Sequence, residues 1–138
     1  MRPFAFAAVL AIVILVMATP GSAAASACRD AETQAAMNEC VGKAFAEADA
    51  ALNRDYGRLR ARLKEDASAE RKLVAAQRAW IAFRDAECAF SASAVEGGSA
   101  HGMVVTECRP HLTRQRIKEL GYYLSCREGD LSCPAPLR

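Results

Sequence analysis

After Met17 the chain has no apolar run approaching the ~20 residues of a membrane-spanning helix, no two cysteines in CxxC spacing, and no strict apolar–polar alternation. The first absence excludes a spanning helix downstream. The second removes the common zinc and thioredoxin-like redox motifs. The third leaves no candidate strand. Histidine is scarce as well. His101 and His111 stand without an HxxxH or HxxE companion, so no metal site is expected. No serine-centred elbow and no glycine-rich phosphate loop occur. Neither sign of charge dominates, with 18 basic against 16 acidic side chains. The short basic stretch Arg58 to Lys64 lacks aromatic interleaving, so no nucleic-acid partner is expected. These absences together predict no enzyme and no cofactor.

What is present begins with a leader. Arg2 precedes an apolar run from Phe4 to Met17, and Gly21 to Ala27 is a small-residue stretch. That order predicts a signal peptide over residues 1–27, cut after Ala25 or Ala27, with Ala23 also compatible. Cys28 directly follows, and the small-small-Cys ending offers an alternative in which Cys28 carries a lipid anchor. The mature chain is expected to be periplasmic or secreted. About 111 residues remain, enough for one domain with a modest core. The expected division is a helical domain over 28–125 and a polar tail over 126–138.

Six cysteines, at 28, 40, 88, 108, 126 and 133, lie beyond the leader. An even count in a small exported domain predicts disulfides, and six cysteines permit fifteen pairings. Neighbour with neighbour is the expected set: Cys28–Cys40, Cys88–Cys108 and Cys126–Cys133. Bonded sulfurs also argue against thiol catalysis by Cys108 beside His111.

Hydrophobic periodicity predicts helix throughout, as an all-α, three-helix up-down arrangement with a long first helix, stapled by disulfides. Met37, Val41, Phe45, Ala48, Leu52, Leu59 and Leu63 form a narrow stripe from about Thr33 to Glu65, with Thr33 as N-cap. Ala67 to Ala69 reads as the turn, and Asp66 or Ser68 as the cap of a second helix reaching about Ser91. Ser91 to Gly102 is small and glycine-rich, hence a loop. In the third helix Leu112, Thr113, Arg116, Ile117, Leu120 and Leu124 face inward. Pro110 should either kink that helix or mark a late start.

The second helix carries a mixed face. At 100° per residue, Leu73, Val74, Gln77, Trp80, Ile81, Arg84 and Cys88 share a stripe roughly 120° wide. An arginine in such a stripe must find acceptors or be expelled. Asp49, Asn53 and Tyr56, along one edge of the first helix, are the expected partners of Arg84 and Gln77. Thr113 and Arg116 bring the third helix into the same polar network. A groove near Trp80 and Arg84 would alternatively take a peptidoglycan fragment or another small molecule.

Four ordered blocks then carry a resemblance. They are Cys28-x-x-Ala31-x-Thr33-Gln34-x-x-Met37-Asn38-x-Cys40; Ala48-Asp49-x-x-Leu52-Asn53-x-x-Tyr56; Gln77-x-x-Trp80-x-x-Phe83-Arg84-Asp85-x-x-Cys88 with Gly97-Gly98-Ser99 after it; and Cys108-x-x-x-Leu112-Thr113-x-x-Arg116-x-x-x-Leu120. Over about Cys28 to Leu124 the chain resembles the lysozyme inhibitor LprI-like N-terminal domain family. The resemblance implies a small exported helical domain of bacterial envelopes and a protein partner, with c-type lysozyme the leading one. The chain departs from the family in adding Cys126 and Cys133, in Pro110, and in having Ala36 where a glutamate is usual.

The residues suggest how inhibition would work. A lysozyme uses two carboxyl groups flanking the scissile bond, and a stiff loop with hydrogen-bond donors would suit them. Gly97, Gly98, Ser99 and His101 are the first candidates, on a loop closed at its base by Cys88–Cys108. Arg109 and His111, flanking Pro110, are the second. The plainer reading makes Gly97 to Ser99 only a turn with Ser99 as a helix cap. The alternative function is an envelope structural or stress-adaptor domain that binds other proteins and never meets lysozyme.

Overall fold

The computed structural model describes Cys28 and residues 30–136; the expected leader, 1–27, lies outside the described residues. Among the described residues three helices occur in order: α1 (Gln34–Arg62), α2 (Ala67–Ser91) and α3 (His101–Ser125), with a short 3-10 turn at Ser93–Val95. None of them is long and apolar enough to cross a membrane.

Local chemistry sets the helix ends. Thr33 caps α1, its Oγ1 accepting from the Ala36 N–H at 3.1 Å. At the other end the Leu63 N–H turns back to the carbonyls of Leu59 and Arg60, and Arg60 and Arg62 in the last turn suit the negative end of the helix dipole. Asp66 caps α2, accepting from the N–H groups of Ser68 and Ala69 at 3.1 and 2.9 Å. The turn is therefore Leu63 to Asp66 and not Ala67 to Ala69. The aspartate supplies the cap and the alanines, the best helix formers, become the first helical turn. Arg60 closes the hairpin by donating through Nε and Nη2 to Glu70 Oε1, at 2.9 and 2.6 Å.

Pro110 does not mark a late start: α3 begins at His101 and runs through it. The ring removes one backbone donor there, and the nearby Cys88–Cys108 bond ties this part of α3 to the end of α2. The other two bonds are Cys28–Cys40 and Cys126–Cys133. All three sets of Cα atoms lie 5.5–5.6 Å apart, ordinary for disulfides. The Cys28 sulfur is thereby occupied and has no valence left for a lipid thioether.

Packing is uneven. The third helix lies closely along α1 and also against α2, while the backbones of α1 and α2 scarcely approach each other. The core joins Leu52 and Leu59 of α1, and Leu63 just after it, to Leu120 and Leu124 of α3, with Tyr56, Leu73, Trp80, Ile117 and Tyr123 around them. Ala135, 2% exposed, belongs to this core. The segment after Cys126 thus folds back as a wall, where a polar tail was expected. Arg62 Nη1 fastens it, donating to the carbonyls of Leu124 and Ala135 at 2.9 Å each. Asp130 braces the turn by accepting from the Ser132 N–H and hydroxyl and from Tyr122 Oη.

Candidate functional site

The middle of the mixed face of α2 is buried, with Gln77, Arg84 and Cys88 at most 7% exposed, and Leu73, Val74 and Trp80 are half-buried. Ile81, expected on the same face, is exposed. The Arg84 guanidinium lies 5.3 Å from the ring centroids of both Phe45 on α1 and Trp80 on α2, where each ring face attracts the cation. Its Nε donates to Asp85 Oδ1 at 3.0 Å, and its Nη1 is 3.6 Å from Asp49 Oδ1. Arg109 of α3 joins the same assembly, 5.6 Å from the Phe45 centroid and with Nε 3.4 Å from Asp85.

Of the three α1 residues expected to serve this face, Asp49 alone reaches Arg84. Asn53 acts one step removed, donating to Asp49 Oδ2 at 2.9 Å. Tyr56 packs on the core beneath the Arg60 guanidinium. Gln77 finds its partner on α3: its Oε1 accepts from Arg116 Nε at 3.2 Å. Arg116 also donates through Nη1 to Glu119 at 2.7 Å. The cause is the uneven packing, since α3 covers this stretch of α2 where α1 was expected to. Thr113 is fully buried, yet its hydroxyl has no hydrogen-bond partner among the described residues. This network joins the three helices.

The loop after α2 has a different character. Cys88 and Cys108 close its base, and the 3-10 turn shapes its first half. Gly97 has φ +75°, a left-handed conformation that favours glycine. The Gly98 N–H donates to the Val95 carbonyl at 3.0 Å, and a Cβ at Gly98 would sit 3.1 Å from that oxygen. The tip, Gly97 to Ser99, is exposed. Ser99 does not cap α3: the N-cap is Ala100, and no side chain accepts from the first turn. The His101 N–H is taken by the Gly98 carbonyl at 3.2 Å, and the remaining first-turn donors of this 25-residue helix receive no side-chain cap beside the exposed loop tip. Phe90, 74% exposed, stands at the end of α2 next to that loop.

The residues around Pro110 separate. Arg109 is drawn into the Phe45–Asp85 assembly, whereas His111 is exposed, with Nε2 3.0 Å from Gln115 Nε2. His101 is half-buried at the start of α3. Phe90 was missed in the sequence, since an isolated phenylalanine at a helix end has the same pattern as a core residue.

An uncharacterized protein of Rhizobium meliloti (strain 1021) is 36% identical over 104 residues, which cover 67% of this chain and 75% of that one. No solved structure matches. A family model described as "Lysozyme inhibitor LprI" matches residues 24–120, a span that holds the Cys28–Cys40 and Cys88–Cys108 bonds, the mixed face of α2 and the glycine loop. The chain belongs to the lysozyme inhibitor LprI family.

Proposed function

We propose that this protein is exported to the periplasm or beyond and inhibits a lysozyme by seating its Ala92–Ala100 loop, shorter at both ends than the Ser91–Gly102 expected, in the enzyme's cleft. The observation that carries this reading is the uncapped N-terminus of α3 beside an exposed, disulfide-closed loop. A lysozyme cleft displays two carboxyl groups. Unused backbone N–H groups at a helix N-terminus, at the positive end of its dipole, are suited to receive a carboxylate. The Ser99 hydroxyl adds a donor at the tip. Closure of the loop by Cys88–Cys108 limits the ordering that binding would otherwise require. Phe90 supplies the large apolar contact that commonly anchors a protein interface. With one more basic than acidic side chain once Arg2 is removed, the mature chain gains little long-range attraction to a basic c-type lysozyme. Affinity must come from the contact itself.

The test is the clearing of a bacterial cell suspension by a c-type lysozyme. Micromolar mature protein should slow clearing, and deletion of Gly97 to His101 should abolish the effect while the melting temperature stays close to that of the parent. No slowing at micromolar excess would remove the reading for this lysozyme class.

A second reading draws on Phe83, 54% exposed on α2 and away from the loop. An envelope adaptor would use that face, and a partner recovered from periplasmic extract would be insensitive to the loop deletion.

A further inference from the structure

Because the backbones of α1 and α2 scarcely meet, the hairpin leaves an opening where they join. This opening is a groove of about 460 Å³, within the roughly 300–1,000 Å³ range of small-ligand clefts. Leu59, Leu63 and Leu73 give it an apolar lining, and Pro134 and Ala135 close one side. That closing wall is held by Cys126–Cys133 and by the hydrogen bond from Arg62 to the Ala135 carbonyl. It lies beyond the span matched by the family model, so the groove in this form belongs to this chain's own additions.

Two cations, Lys72 and Arg116, and one carboxylate, Asp66, border the trough. Lys72 is exposed and makes no ion pair among the described residues. Arg116 is 9% exposed, with Nε committed to Gln77 and Nη1 to Glu119. Its Nη2 makes no hydrogen bond among the described residues, and the residue lines the groove. Asp66, the acid in the lining, is already engaged by the N–H groups of Ser68 and Ala69.

From this charge arrangement we infer that the groove binds an anionic amphiphile. A medium-length alkyl chain lies on the leucines, and its carboxylate or phosphate is held by Arg116 Nη2 and Lys72 in charge-assisted hydrogen bonds. A free fatty acid and a single-chain phospholipid share this chemistry. The groove sits at the start of α2 and the glycine loop at its end, so this site and the proposed lysozyme contact are independent.

The experiment is a calorimetric titration of the full disulfide-bonded chain with laurate, with a lauroyl lysophosphatidate, and with uncharged dodecanol, each below its aggregation concentration. Saturable one-to-one binding is expected for at least one of the anions, at least tenfold tighter than for dodecanol. Binding of laurate alone would identify a free fatty acid, and binding of the lysophosphatidate alone a phospholipid. Ala76→Phe, which fills the groove, should weaken binding at least tenfold, and Lys72→Glu should weaken the anions several-fold while leaving dodecanol unchanged. Lys72 is exposed, so its variant reads out even if Ala76→Phe does not fold. Absence of saturable binding by both anions, equal affinity for anion and alcohol, or indifference to Lys72→Glu would overturn the inference.

Discussion

Gln77 on α2 and Arg116 on α3 are both buried, and the arginine donates through Nε to the amide oxygen at 3.2 Å. Each partly satisfies the other in a place where water has little access. Gln77→Leu strands a buried guanidinium nitrogen and should destabilise the domain by about 1–3 kcal/mol. Arg116→Met strands only a neutral amide and should cost less. The double variant should recover part of the loss, with a coupling of about 1 kcal/mol in a denaturation cycle. Strict additivity would show that the two side chains do not interact in solution.

Arg84 has two carboxylates within reach, Asp49 and Asp85, each about two-fifths exposed. Loss of either one should be mild, under about 1 kcal/mol, because the other remains and both face solvent. Loss of both leaves an uncompensated buried cation, and Asp49→Ala with Asp85→Ala should cost about 3 kcal/mol. Arg84→Met, which removes the charge itself, should be better tolerated than that pair. Urea midpoints of the four proteins check the order.

Thr113 presents the opposite case. Its hydroxyl is buried without a partner among the described residues, and valine has nearly the same shape. Thr113→Val should leave the melting temperature unchanged or raise it, since a desolvated hydroxyl is removed and no hydrogen bond is lost. A loss above about 1 kcal/mol would show that the hydroxyl is bonded.

Much of this architecture is legible in the sequence, and the reasons are local. Thr33 declares its helix start because a cap needs only its own first turn, whereas Asp66 and Ser68 both qualify by residue type and the structure selects Asp66. The leucine stripes of α1 and α3 follow from a period that depends on neighbouring residues alone. The partner of Gln77 is not legible, because a stripe says that a helix is covered and not by which neighbour. Asp85 is hidden as a ligand of Arg84 since adjacent helical positions point apart, and only the length of arginine lets it turn back. The inward fold of Ala135 is hidden too, since it depends on Arg62, far away in the chain. In the loop, Ser99 looks like a cap by residue type, but the helix begins one residue later.

Asp130 gives a pH dependence. Hydrogen bonds from the Ser132 hydroxyl, the Ser132 N–H and Tyr122 hold its carboxyl below the ordinary value of 3.8. A folded-state pKa below the unfolded one stabilises the protein above about pH 4, and the contribution is lost as pH falls through the folded value. Asp130→Asn should therefore lower the melting temperature slightly at neutral pH, and the difference from the parent should vanish in strong acid. A difference that persists at the lowest pH would assign the effect to something other than this ionisation.

The most direct test of the account is competition at the lysozyme cleft, measured by titrating the mature protein into a c-type lysozyme with and without saturating chitotriose. The expected result is saturable binding that the oligosaccharide weakens in proportion to its own occupancy of the cleft. Binding of undiminished affinity in the presence of chitotriose, or no binding in either case, would contradict the account.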